Sequence, residues 1–221
     1  MNISVKVLSA GAGLGLVGGA GVTAHYLLND NSIGKALKDK GHTLLNFDIT
    51  NTQDKATWDP IVKAYVSSNK KINDVTIVIT PSDGTPTQDN VNGLKKACAK
   101  VIESKNNNET TLQNAEQFCV TPITVKSLVE KQRTVLDSTA STNETPTEWN
   151  NLVTSYLNAS TDKQISGVTL AQNNPSDESG KRDALKRGCE GIKNTKTHDT
   201  NYHKQYEQFV NWCSVPKKIM A

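Results

Sequence analysis

Two stretches of the chain carry the same apolar stripe. Trp58, Ile61, Val62, Tyr65 and Val66 stand at i, i+3, i+4, i+7 and i+8, and Trp149, Leu152, Val153, Tyr156 and Leu157 repeat that spacing. Large side chains so spaced share one helical face, which predicts an amphipathic helix in each stretch. Thr57 and Thr147 read as N-caps, and Pro60 as a first-turn proline whose missing N–H costs nothing there. A second helix follows over about 89–105, with Val91, Leu94, Cys98, Val101 and Ile102 on one side. Its counterpart runs over about 179–194, with Leu185, Cys189 and Ile192 inward. A third helix carries Leu112, Ala115, Phe118 and Cys119 in the first stretch, and Tyr202, Tyr206, Phe209, Val210 and Cys213 in the second.

The stripes are parts of one longer self-similarity. A shift of 91 residues sets Lys40, Thr43 and Leu45 on Lys131, Thr134 and Leu136, and Trp58 on Trp149. It also sets Tyr65 on Tyr156, Leu94 on Leu185, Lys95 on Lys186 and Cys98 on Cys189. After a three-residue insertion, Cys119 matches Cys213 and Pro122 matches Pro216. The chain therefore reads as two tandem copies of one helical module, residues 40–130 and 131–221, preceded by a linker at 29–39. Between the first and second helices, Val75-Thr76-Ile77-Val78-Ile79 reads as a strand and Val168-Thr169-Leu170 as its weaker counterpart. A lone strand is unstable, so either the copies pair there or the segment is an extended loop. Residues 81–87 and 173–179 are turn-rich, and 138–146 form a polar hinge.

Residues 1–28 have a different character. Lys6 is the only charge before His25, and Val7 to Leu28 is built of Gly, Ala, Val and Leu broken only by Ser9, Thr23, His25 and Tyr26. This is the pattern of a secretory signal, with small residues at −3 and −1 of a cleavage after Ala24. An uncleaved signal anchor is the other reading, since a helix of this length crosses about 30 Å of hydrocarbon. Gly11, Gly15 and Gly19 would then let two such helices approach closely. Either way the segment predicts export.

Four cysteines allow three pairings. A module that once existed alone must have closed its pair internally, which selects Cys98–Cys119 and Cys189–Cys213. Each bridge would staple the second helix to the third, worth roughly 3 kcal/mol in the chain-entropy model. Disulfides persist outside the reducing cytosol, in agreement with the leader. Buried thiols, a metal site or a nucleophile are the weaker readings. No two cysteines are close enough for a C-x2-C zinc pair.

Composition narrows the remaining choices. Hydrophobic residues are 35% and aromatics 5% of the 221 residues, too few for several membrane spans and below the ordinary globular share. Net charge is only +3, from 22 Lys and three Arg (Arg133, Arg182, Arg187) against 22 acidic residues. That is a poor nucleic-acid footprint, and the pairs Lys70-Lys71, Lys95-Lys96 and Lys217-Lys218 read as solvated helix ends. His198, Asp199 and His203 form the one cluster resembling a metal or acid–base site. Their spacing misses a single helical face, and a solvated loop is the preferred reading. No Walker A, G-x-S-x-G or C-x-x-C motif occurs, and sequons at Asn108, Asn143 and Asn158 carry little weight in a chain with 22 Asn and 24 Thr.

The glycine-rich leader, the segment from Leu44-Leu45-Asn46-Phe47 to Trp58, and the ending with Trp149, Cys189, Trp212, Cys213 and Pro216 resemble a known group. They are similar to the paralogous families of uncharacterised proteins in haemotropic mycoplasmas, and the high ratio of Lys to Arg fits AT-rich genomes. Phe118 departs from the pattern where Trp212 keeps it. The resemblance implies a surface or secreted protein concerned with host-cell contact or immune evasion, and it implies no catalytic residues.

The expectation is thus a mainly α chain: a signal or anchor helix, then two duplicated helical modules with a short β-pairing between copies as one option. Trp58, Tyr65, Leu94, Trp149, Tyr156, Leu185 and Phe209 are expected to pack the core. The protein is read as an exported, non-enzymatic surface antigen or host-interaction module, contacting membrane through residues 7–28. No cofactor, metal or nucleic acid is expected; host-cell or antibody surfaces are the expected partners. The alternatives are a small-ligand-binding or hydrolytic protein using a groove between copies, and a structural envelope protein.

Overall fold

The computed structural model describes residues 32–81, 84–105, 108–139, 146–170 and 178–217. The leader, the sequon at Asn143 and most of the hinge lie outside the described residues. The described part is mainly helical, with eight helices and one two-stranded sheet.

A first group comprises α1 (Ile33–Asp39), α2 (Lys55–Ser67), α3 (Gln88–Glu103) and α4 (Glu109–Phe118). A second comprises α5 (Val125–Glu130), β1 (Arg133–Val135), α6 (Pro146–Leu157), α7 (Glu178–Ile192), α8 (Tyr202–Trp212) and β2 (Ser214–Pro216). In the first, α1 packs on α3 and α4, and α2 packs on the same pair. In the second, α6 packs on α7, α7 on α8, and α8 on α5 and β2. The short strands pair antiparallel, Val135 opposite Ser214. The first group holds an isolated bridge in the same place, Leu44 opposite Val120.

The two Trp-led stripes are buried faces of α2 and α6. Trp58, Ile61, Val62 and Tyr65 are buried in one, and Trp149, Val153 and Tyr156 in the other. Burying a side chain of this kind stabilises by roughly 1.5–3 kcal/mol, so these faces hold each group together. Leu94, Leu185 and Phe209 are buried as well. Helix starts are set by side-chain caps on exposed backbone N–H groups: Ser32, Thr87, Asn108 and Thr124 each accept from the amide three residues on, each worth about 1 kcal/mol.

Several expectations change. Residues 33–39, read as linker, form α1. Ile33 and Leu37 are fully buried, and Gly34 lets the helix approach α3 so closely that a Cβ would lie 3.1 Å from the Ile102 carbonyl oxygen. Residues 125–130, placed in the first module, pack instead in the second core: Val125, Leu128 and Val129 belong to the buried cluster that holds Trp149 and Phe209. Neither Thr57 nor Thr147 caps a helix: α2 starts three residues earlier, with Asp54 at its N-cap, and α6 already includes Thr147. Pro60 therefore lies inside α2 and forfeits one backbone hydrogen bond. Val75–Ile79 forms no regular secondary structure, and no pairing joins it to Val168–Leu170. It is anchored by the Tyr65 hydroxyl donating to the Val75 carbonyl at 2.5 Å, by the Asn90 amide donating to the Val78 carbonyl at 3.0 Å, and by burial of Ile77 and Ile79. Among the described residues no helix is long and apolar enough to cross a membrane.

Candidate functional site

Both predicted cysteine pairs are bridged. Cys98 joins Cys119 with Cα atoms 5.4 Å apart, and Cys189 joins Cys213 at 5.7 Å. Each bridge ties a middle helix (α3 or α7) to the residue that ends the next one (α4 or α8), and all four cysteines are buried. Beside each bridge a tyrosine of the Trp-led helix meets an aromatic ring edge-on: Tyr65 on Phe118 at 5.2 Å, Tyr156 on Trp212 at 4.9 Å.

The second feature is a buried lysine under each tryptophan. Lys95, completely buried, donates to the carbonyls of Asp48 (2.9 Å) and Asn51 (2.8 Å) and to the Asp54 carboxylate (2.8 Å). Its ammonium also stands 5.9 Å from the Trp58 ring centre. Lys186 takes the matching position 5.7 Å from the Trp149 ring, donating to the Thr139 carbonyl at 3.4 Å. These lysines are not solvated helix ends. Lys95 gathers the 48–54 loop around one charge, and it draws off the Asp54 carboxylate that would otherwise cap α2, which has no side-chain cap bond.

The third feature joins the two groups. Glu116 of α4, 5% exposed, accepts hydrogen bonds from Lys40 (3.0 Å), His42 (2.9 Å) and the Tyr202 hydroxyl of α8 (3.2 Å). Burial alone would push its carboxyl up. The His42 hydrogen bond and the charges of Lys40, His42 and His203 outweigh burial and hold it at about 2. Burial and the neighbouring carboxylate drive the Tyr202 hydroxyl far above the ordinary tyrosine range. Next to Glu116, the Gln117 amide donates to the Asp199 carbonyl at 3.0 Å and accepts from Lys70.

The His198, Asp199 and His203 cluster is dispersed into this joint. His203 Nε2 lies 3.1 Å from the Gln113 carbonyl, and burial lowers the affinity of its ring for a second proton. His198 Nε2 stands 3.9 Å from Asp199, whose other oxygen accepts from the Lys196 amide at 2.7 Å. Asp199 thus closes a turn. No cluster of potential metal ligands occurs among the described residues.

The recurrence of Lys95 at Lys186 under the 91-residue shift is a usable signal for the buried lysines, because it accompanies the recurring Trp and Cys positions. No signal marks Glu116: one of two acids on α4, it looks like any solvent-facing residue until α8 is laid against it. Lastly, a groove of about 520 Å³ opens on the second group between the 165–169 turn and α7. No protein-family model, curated protein or solved structure matches this chain.

Proposed function

We propose that the chain is an exported, non-enzymatic protein made of two copies of one disulfide-stapled module, held at the cell surface or released from it. Its loops present binding or antigenic surface to host cells or antibodies, in keeping with the resemblance to the paralogous families of haemotropic mycoplasmas. The observation that carries this reading is the pair of buried disulfides with no cysteine left free, a state that fits an oxidising compartment.

Matching geometry supports the two-copy part. The Leu45 amide donates to the Cys119 carbonyl at 3.2 Å, and the Leu136 amide to the Cys213 carbonyl at 3.0 Å. The same alignment relates the helix C-caps Lys40 and Lys131, the buried Lys–Trp pairs, and the bridge Leu44–Val120 with the pair Val135–Ser214, and the side-chain caps Ser32 and Thr124 fall within one residue of it. Each copy then begins with a short capped helix, so the repeating unit starts near residues 32 and 124. The non-enzymatic part is supported by the joint, where Lys40, His42 and Tyr202 all direct their donors to the buried Glu116 carboxylate. Such a cluster fastens helices.

Fractionation with surface proteolysis tests the proposal. Intact producing cells treated with protease should lose the folded protein from the membrane fraction, or the medium should already contain it. Protein confined to the cytosol and protected from protease contradicts the reading.

A further inference from the structure

The joint between the two groups is built differently from either core. Every extensive helix packing lies within one group or the other. The buried cluster around Trp149 takes in no residue of α1–α4 among the described residues. The bonds that cross between the groups are polar. Glu116 of α4 accepts from Tyr202 of α8 at 3.2 Å, and His203 Nε2 meets the Gln113 carbonyl at 3.1 Å. Gln117 donates to the carbonyls of His198 (3.5 Å) and Asp199 (3.0 Å). Lys131 and Gln132 donate to the carbonyls of Gly41 (2.5 Å) and Lys40 (3.2 Å). The chain itself crosses at Pro122: the Thr121 amide still bonds Thr43 of the first group, and the Ile123 carbonyl already bonds the Thr197 amide of the second. A connection this short is a pivot.

Histidines gather at the same place. The sequence has four, and the three among the described residues, His42, His198 and His203, all lie in this joint. His198 is buried, and its Nδ1 has no hydrogen-bond partner among the described residues. A second ring proton would therefore present a buried donor to no acceptor. The charges around the rings are mixed. His203 faces the Glu116 carboxylate and the ammonium groups of Lys70 and Lys40, with the Tyr202 ring 4.9 Å away. His198 faces Asp199 and Lys196. His42 shares Glu116 with Lys40, and Tyr206 faces Glu116 and Arg133. Burial outweighs the carboxylates and holds both His198 and His203 below the ordinary histidine value. Glu116, held at about 2, keeps its charge at pH 5, whereas histidine changes charge between pH 7 and 5.

We propose that the joint is an acid-operated clasp: between pH 7 and 5, protonation of His198 and His203 frees the two groups from each other, while each stays folded on its own core and disulfide. The closed form disfavours the second ring protons and the open form accepts them. Each proton taken up therefore favours opening; the clasp holds above about pH 6.5 and weakens as pH falls. Opening uncovers Tyr202 and Gln117, which the closed joint buries. The proposal requires neither the exported location nor the two-copy reading.

The test is hydrogen exchange read by mass spectrometry on the full oxidised chain at pH 7 and pH 5, corrected for the intrinsic pH dependence of exchange. Peptides covering 40–43, 113–118 and 198–203 should exchange about tenfold or more faster at pH 5, the worth of one unsatisfied buried donor. Peptides of α3 and α7 around Cys98 and Cys189 should keep their protection, and the emission of Trp58, Trp149 and Trp212 should not move. The double variant His198→Gln, His203→Gln should lose most of the acid response. Independently of any variant, the imidazole proton resonances of His198 and His203 in the parent chain should titrate with the midpoint of the exchange change. Unchanged protection of the joint at pH 5, a tryptophan shift that accompanies its loss, an undiminished acid response in the double variant, or imidazole titration at a different midpoint would each overturn the proposal.

Discussion

The carboxylate of Glu116 and the hydroxyl of Tyr202 meet at 3.2 Å, and this bond crosses from the first helical group to the second. Because Lys40 and His42 bond the same carboxylate, one buried charge collects three donors from two distant parts of the chain. The fold is sensitive there, since removing a buried partner leaves the others unsatisfied.

Glu116 makes the protein acid-sensitive in a defined window. Its carboxyl sits at about 2 in the folded chain against an ordinary 4.5. The stabilisation is therefore fully present above about pH 4.5 and is lost as pH falls toward 2, a change of about 3 kcal/mol. His198 and His203, both held below the ordinary histidine value chiefly by burial, add a loss of the same sign that begins below about pH 6.5. In urea titrations from pH 7 to 2, Glu116→Gln should start less stable by about 2–3 kcal/mol and show a flatter acid limb. An acid limb as steep as that of the parent chain would mean that Glu116 is not the group responsible.

Lys95→Met tests the buried lysine. It leaves the Asp54 carboxylate and two loop carbonyls without their donor, which should cost about 3–5 kcal/mol. Adding Asp54→Asn should cost less in that background than in the parent, because the two groups act as a unit. Strictly additive losses in denaturant melts would refute the coupling.

Glycines on α7 should respond with opposite signs. Gly188→Ala places a methyl 2.5 Å from the stiff Val168 side chain and should destabilise by about 1–3 kcal/mol. Gly191→Ala meets nothing and should stabilise by up to about 1 kcal/mol. Thermal melts of the two variants suffice, and a loss at Gly191 would show that the residue is needed for packing after all.

How much of this was legible in the sequence depends on how far each residue's partner lies along the chain. Trp58 and Tyr65 announce α2 by spacing alone, and the repeated cysteines announce their own partners. The short helices α1 and α5 escaped because two or three apolar positions cannot establish a period of 3.6. Local sequence does not separate Asp54 from Thr57 as the N-cap, because the Asp54 carboxylate is held by Lys95, 41 residues away. Val75–Ile79 has the β-branched composition of a strand. Its neighbour turned out to be a tyrosine hydroxyl rather than a second strand, and composition does not distinguish the two. Glu116 was invisible for the same reason: its three donors come from the 40–42 segment and from α8.

The staples carry the central claim. Replacing either pair by alanine should cost about 3 kcal/mol, given loops closed over 21 and 24 residues. The most direct measurement is intact mass with alkylation, before and after reduction, on protein from its own cells, followed by mapping of the linked peptides. The account predicts no alkylation before reduction, four modified cysteines after it, and linked peptides joining Cys98 to Cys119 and Cys189 to Cys213. Free thiols before reduction, or a bridge running between the two groups, would contradict it.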